Sequence, residues 1–176
     1  HVMMLGLCKM KGWDLKTYDS PEHPLQKAIK AKIYELCKVT KEYPVTTDGC
    51  GVPIMSIPLT NMLNGYLNLF CNPKYEKIKN AFLNHPYIIG GEDRSDTKII
   101  EYSKNIVAKV GAGGLCIVVN TKTEEAFVVK IADCDMKARE LVVCQILKNI
   151  HWAEVPMDLD IKTIHGQKVG EIKILI

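Results

Sequence analysis

No charge of one sign dominates this sequence: 23 Lys+Arg stand against 20 Asp+Glu, for a formal charge of +3 spread along 176 residues. Such a small, dispersed surplus does not make a phosphate-tracking surface, so nucleic acid and anionic membrane are not expected partners. Long apolar runs are missing too. Nothing approaches the roughly 20 residues that a membrane-spanning helix needs, and no segment has the charged-then-apolar form of a signal peptide. Aromatics are sparse at 7%. The familiar nucleophile motif G-x-S-x-G does not occur, and His23, His151 and His165 stand apart from any Ser and Asp that would complete a triad. The seven cysteines form no C-x-x-C pair. Most lie in apolar patterns where a thiol acts as a small hydrophobe, which suits a reducing cytoplasm.

What is present is a chain with 47% hydrophobic residues, enough for a sizeable core. Val2, Met3, Leu5, Leu7 and Cys8 make an apolar helical surface that stops at Gly12. Ser20-Pro21-Glu22 has the form of an N-cap with Pro at the first helical position, ahead of Leu25, Ile29, Ile33, Leu36 and Cys37 at three-to-four spacing. The Gly/Pro-punctuated stretch from Tyr43 to Pro53 breaks that period. Helical patterns resume from Leu59 to Phe70 and again after Asn72-Pro73. His85-Pro86 ends them, and Ser95-Asp96-Thr97 is placed to cap a short helix.

From Asn105 the residues become strand formers: 106–110, 115–119 and 126–131 predict three antiparallel strands. A helical run from Ala138 to Ile150 and a last strand pair around His165-Gly166 follow. Helices first and strands later, without βαβ alternation, predict an α+β fold in which helices cover an antiparallel sheet. The expected division is a helical part, 1–104, and a sheet with its closing helix, 105–176, within one domain.

Three segments carry chemistry. In Thr46-Thr47-Asp48-Gly49-Cys50-Gly51 a thiol and a carboxylate share a tight turn, where a metal or an amine could sit; the plain alternative is an Asp-Gly turn with an incidental buried Cys. In Lys109-Val110-Gly111-Ala112-Gly113-Gly114 a Lys ends a strand and glycines allow close approach, much as in the Lys-Thr-Gly strand of the penicillin-recognising hydrolases. The hairpin that this turn opens carries Cys116 and Lys130. Lys130 either emerges at the sheet edge or, if buried, has its pKa lowered and suits the deprotonation of a hydroxyl. Beyond Gly90-Gly91, Arg94 can take a substrate carboxylate through two parallel hydrogen bonds or form a local pair with Asp96.

The ordered set His1-Val2-Met3-Met4-Leu5, Tyr18-Asp19-Ser20-Pro21-Glu22-His23-Pro24-Leu25-Gln26, Thr47-Asp48-Gly49-Cys50-Gly51-Val52-Pro53, His85-Pro86…Gly90…Arg94…Asp96-Thr97, Lys109-Val110-Gly111-Ala112-Gly113-Gly114 and Val129-Lys130-Ile131…Asp133 resembles the Rhizobium-type L-asparaginase family over essentially the whole chain. The resemblance implies a fold related to serine β-lactamases and penicillin-binding proteins, and hydrolysis of the side-chain amide of L-asparagine through a Ser-Lys acyl-enzyme. It casts Lys130 as the Lys of a Ser-Lys pair, Asp48 and Cys116 as active-site groups and Cys50 as a zinc ligand; Arg94, Lys109 and Gly111, marked by the reading of the residues themselves, are the expected substrate-binding residues. It aligns His1 with the His of a Cys-Ser-Gly-Lys-His block. The remaining zinc ligands and both catalytic serines are thus expected upstream of residue 1, and the chain, a C-terminal half, is expected to be inactive alone. Two departures stand near the implied site: the family has Lys-Thr-Gly-Ala-Glu-Gly where this chain has Gly113, and Asp-Gly where it has Asp133-Cys134. Other expectations are a non-catalytic piece that associates as a homodimer or with the missing half, and a penicillin-binding-like hydrolase of another amide.

Overall fold

Five consecutive apolar residues, Leu115-Cys116-Ile117-Val118-Val119, leave no side chain to turn toward water, so this segment has to be covered on both faces. In the computed structural model, which describes residues 1–176, it is the central strand β4 (Leu115–Asn120) of a three-stranded antiparallel sheet. Its neighbours are β3 (Ile106–Gly111) and β5 (Glu125–Lys130), with Val110 opposite Cys116 on one side and Cys116 opposite Val129 on the other. One face of the sheet, carrying Ile106, Ala108, Cys116, Val118 and Val129, packs with Ile99 and Ile100 of helix α6 (Ser95–Glu101) and Val143, Cys144 and Leu147 of α7 (Met136–Asn149). On the opposite face Val107, Ile117 and Val119 are equally buried.

Two compact units divide the chain after Asn68. The first holds α1 (Val2–Lys11), α2 (Pro24–Cys37), the hairpin of β1 (Val45–Thr47) and β2 (Pro53–Met55), and most of α3 (Leu59–Cys71). Its sequence signals work through backbone geometry: Gly12 closes α1 in the left-handed conformation at φ 67°, which a residue without Cβ adopts freely. Val2, Met3 and Met10 on α1 are more than 80% exposed. The second unit holds the short α4 (Glu76–Asn84) and α5 (Pro86–Gly90), α6, the sheet, α7 and a terminal hairpin of β6 (Asp160–Lys162) and β7 (Lys168–Glu171). Mixed helices and antiparallel sheet make this the α+β class that the order of elements predicts. The three expected strands and the closing helix all form, and α4 to α6 fall in the same unit as the sheet. No helix is long and apolar enough to cross a membrane.

Two local expectations need correcting. Helix α2 is capped by His23, not Ser20: the ring Nδ1 accepts from the Leu25 N–H at 3.0 Å, and Pro24 is the first helical residue. The imidazole can serve because its Nε2 lies 2.9 Å from the Asp14 carbonyl, which holds the ring in place, while Ser20 is spent on a preceding turn. Ser95, Asp96 and Thr97 are likewise inside α6, with Arg94 at its N-cap position. Their side chains face the protein interior because all three are needed there.

Leu147, with no exposed surface, is the deepest contact that α7 makes with the sheet core. Leu147→Ala should lower unfolding free energy by about 2–5 kcal/mol in a denaturant titration, since both the lost burial and the residual cavity count.

Candidate active site

A carboxylate with no exposed surface organises the second unit. Asp96 Oδ2 lies 3.3 Å from the Lys109 ammonium and accepts from the backbone N–H of Val110 at 3.3 Å. The acceptor therefore satisfies a donor on β3, an edge of this sheet, while the ammonium offsets its charge. Room for this carboxylate comes from Gly90: a Cβ there would stand 2.4 Å from both Asp96 Oδ1 and Thr97 Oγ1. Thr97 adds donation from Oγ1 to the carbonyls of Gly91 (2.8 Å) and Pro86 (3.2 Å), so α5, α6 and β3 are tied at one corner. Lys109 also donates to its neighbour's carbonyl, Val110 O, at 2.9 Å.

The glycine turn between β3 and β4 extends this corner. At its start the Gly111 carbonyl accepts from Arg139 Nη1 at 3.5 Å, and Arg139 Nη2 lies 3.2 Å from Ser95 Oγ. At its end, Gly113 (φ 65°) faces Lys130 and Cys134: a Cβ on it would stand 3.4 Å from Cys134 Sγ and 4.0 Å from Lys130 Nζ. Cys134 has itself a left-handed backbone (φ 67°), at the position where the resemblance expects Gly. The two departures thus face one another, a side chain absent on one wall of the turn and present on the other.

Lys130 is exposed at the end of β5; its ammonium donates to the Ile131 carbonyl at 2.7 Å and lies 3.8 Å from Cys134 Sγ. It therefore emerges at the strand end, and the alternative of a buried Lys with a desolvated amine is not what the fold provides. Cys116 is the opposite case. It is 1% exposed on β4, and burial pushes its thiol up to about 12, an effect that the Arg139 guanidinium opposes and Asp96 reinforces. Burial similarly raises Cys144 to about 11.

Arg94 is exposed and not paired with Asp96, whose charge goes to Lys109. Residues 109 and 111, expected to bind substrate, do stand beside one another in this corner. In the first unit, Asp48 and Cys50 share an exposed loop at the tip of the β1–β2 hairpin. Asp48 Oδ1 accepts from the N–H groups of Cys50 (2.8 Å) and Val52 (3.0 Å), which shapes the loop, and Gly51 takes φ 85°. The Cys50 thiol is thus exposed, not buried in the turn. With no third His, Cys, Asp or Glu grouped with them, these two residues do not fit a zinc centre, which needs about four donors.

Sequence reasoning missed Arg139 and its contact with Ser95. Arg139 had a signal, an Arg among Ala138, Leu141 and Val142 on the face of α7 that turns inward. Ser95 opens the string Ser95-Asp96-Thr97-Lys98, an S-x-x-K pattern, and Cys134 is marked only as a departure from the family's Asp-Gly. A hollow of about 470 Å³ lined by Asn105, Asn120, His151 and Trp152, among others, lies at the opposite end of the sheet and includes none of the expected site residues.

A protein-family model described as L-asparaginase II matches residues 1–174. No curated protein matches the chain.

All seven cysteines are free thiols. With iodoacetamide near about pH 7.5, Cys50 and Cys134 should alkylate while Cys116 and Cys144 stay unmodified in the native protein, read by peptide mass spectrometry. The same burial has a pH consequence. Because the folded Cys116 thiol titrates above its ordinary value, its contribution to stability is complete below about pH 9 and falls as pH rises toward about 12. Cys116→Ala should flatten that alkaline decline in a series of thermal melts.

Proposed function

This chain belongs to the L-asparaginase II family, a family of asparaginase-type amidohydrolases, and from that premise we propose that it takes part in the hydrolysis of L-asparagine to L-aspartate and ammonia through a Ser-Lys acyl-enzyme, with Lys130 as the base. The observation that supports this most is the setting of Lys130: a well-oriented ammonium at a strand end, open to solvent, facing a turn whose nearest residue, Gly113, has no side chain. A hydroxyl and a small amide have space to approach it there.

The steps follow from elementary acyl transfer. Once deprotonated, the Lys130 amine accepts the proton of a serine hydroxyl as its oxygen attacks the side-chain amide carbon. Lys130 then returns that proton to the departing nitrogen, ammonia leaves, and an aspartyl ester remains. Water, deprotonated by the same amine, attacks the ester; the proton returns to the serine oxygen, and aspartate is released. Among this chain's own serines, Ser95 is engaged with Arg139, and Ser103 donates to the Ile100 carbonyl at 3.2 Å. On this reading Cys116 belongs to the corner that carries Lys130, and Asp48 is an active-site group carried by the first unit. Cys116 acts in that corner as a neutral thiol in the wall.

Lys130→Met keeps the bulk of the side chain and removes the amine. Ammonia release from L-asparagine by the protein containing this chain should fall at least about 100-fold. Turnover close to the unsubstituted rate in that variant would remove Lys130 from the mechanism.

Self-association is a second part of the reading, favoured by the apolar, solvent-exposed Val2, Met3 and Met10 on α1. Light scattering should find a dimer that Met3→Glu with Met10→Glu converts to monomer, and an unchanged mass in the double variant would exclude α1 as the contact.

A further inference from the structure

Arg139 lies in the early part of α7 and is only 4% exposed. Its guanidinium has three nitrogens to account for. Nη1 reaches Gly111 O at 3.5 Å, the far limit of a hydrogen bond; Nη2 donates to Ser95 Oγ at 3.2 Å; Nε is buried with no partner. No carboxylate forms an ion pair with it. Asp96, whose charge is felt at the same Cys116 thiol, is already committed to Lys109 and the Val110 N–H.

Arg139, Lys109 and Asp96 thus carry two positive charges and one negative one. A fold seldom buries a guanidinium without a counter-ion, because the desolvation is uncompensated and an apolar residue of similar length would fill the space. The surplus is a single charge. It matches a monoanion, and a planar guanidinium with an idle Nε and a weakly engaged Nη suits the two oxygens of a carboxylate. The long bond to Gly111 O is readily exchanged, and it belongs to a turn of small residues. Lys109, whose side chain is 35% exposed, marks where this corner meets solvent.

We infer that Arg139, with Lys109 in the same corner of the fold, forms a carboxylate-binding subsite that takes the α-carboxylate of an amino-acid ligand. This rests on the amide-hydrolysis reading for the choice of ligand, and it moves carboxylate recognition from the exposed Arg94 to the buried Arg139.

The experiment is thermal unfolding of the whole chain with L-aspartate or L-asparagine, against sodium chloride at matched ionic strength. At about ten times Kd the amino acids should raise Tm by about 2–5 °C, and chloride should not. Arg139→Met should melt at or above the wild-type temperature without ligand and lose the amino-acid shift, since the unpaired charge is gone. If the Met variant does not fold, Arg139→Lys and Lys109→Met carry the test, each with a reduced shift. The inference is overturned if no carboxylate-specific shift occurs up to roughly 50 mM, or if the shift persists in full in these variants. The two readings fail separately. Stabilisation through Arg139 together with no ammonia release from L-asparagine by the protein containing this chain would sink amide hydrolysis and leave the subsite, whereas turnover by that protein with unchanged KM in Arg139→Met would sink the subsite and leave hydrolysis.

Discussion

The buried charge of Asp96 is the constraint on which the arrangement of the second unit turns. A carboxylate with no exposed surface has to find a cation and donors within the fold, and it finds them in Lys109 and the Val110 N–H. Meeting that demand sets the position of α6 against the edge of β3. It also explains why position 90 has no side chain, since even a methyl group would collide with the carboxylate and with Thr97. From the same helix Ser95 meets Arg139, which in turn touches the start of the glycine turn. One buried charge is thereby linked, contact by contact, to the turn that faces Lys130.

That chain of contacts separates two kinds of titratable group. Lys130 and Cys134 stand in water at the far side of the turn, while Cys116 and Cys144 are held in the core as neutral thiols. Chemistry at this corner belongs to exposed groups, and the buried thiols contribute packing. The cationic surplus around Arg139 is the exception. It is buried, incompletely bonded and without a counter-ion, and a ligand carboxylate would complete it.

Much of the fold is legible in local pattern. The apolar run of β4 demands burial on both faces, the hairpin connection at 120–125 follows from turn chemistry, and Gly12 stops α1 through its left-handed φ. The cap of α2 is not legible in that way. His23 replaces Ser20 because its ring is braced on the Asp14 carbonyl, a contact that depends on the loop between the helices. The candidate site divides along the same line. Lys109, Gly111 and Lys130 stand out as polar or glycine positions in apolar surroundings, and the fold brings the first two to one corner and Lys130 to the far side of the glycine turn between them. Arg94, equally conspicuous, remains in solvent.

The sequence by itself determined the α+β class, the register-bearing strands, the glycine turn and the membership in the L-asparaginase II family, because periodicity, turn residues and ordered motifs are local properties of the chain. Only the tertiary structure decided which charges are buried together. Asp96 and Lys109 are thirteen residues apart, and Ser95 and Arg139 forty-four. Pairing at such separations depends on where α6 and α7 pack on the sheet. Whether a Cys is core or surface depends on the same packing, which puts Cys116 inside and leaves Cys50 and Cys134 in solvent. Burial is a property of the assembled layers, and no stretch of neighbouring residues encodes it.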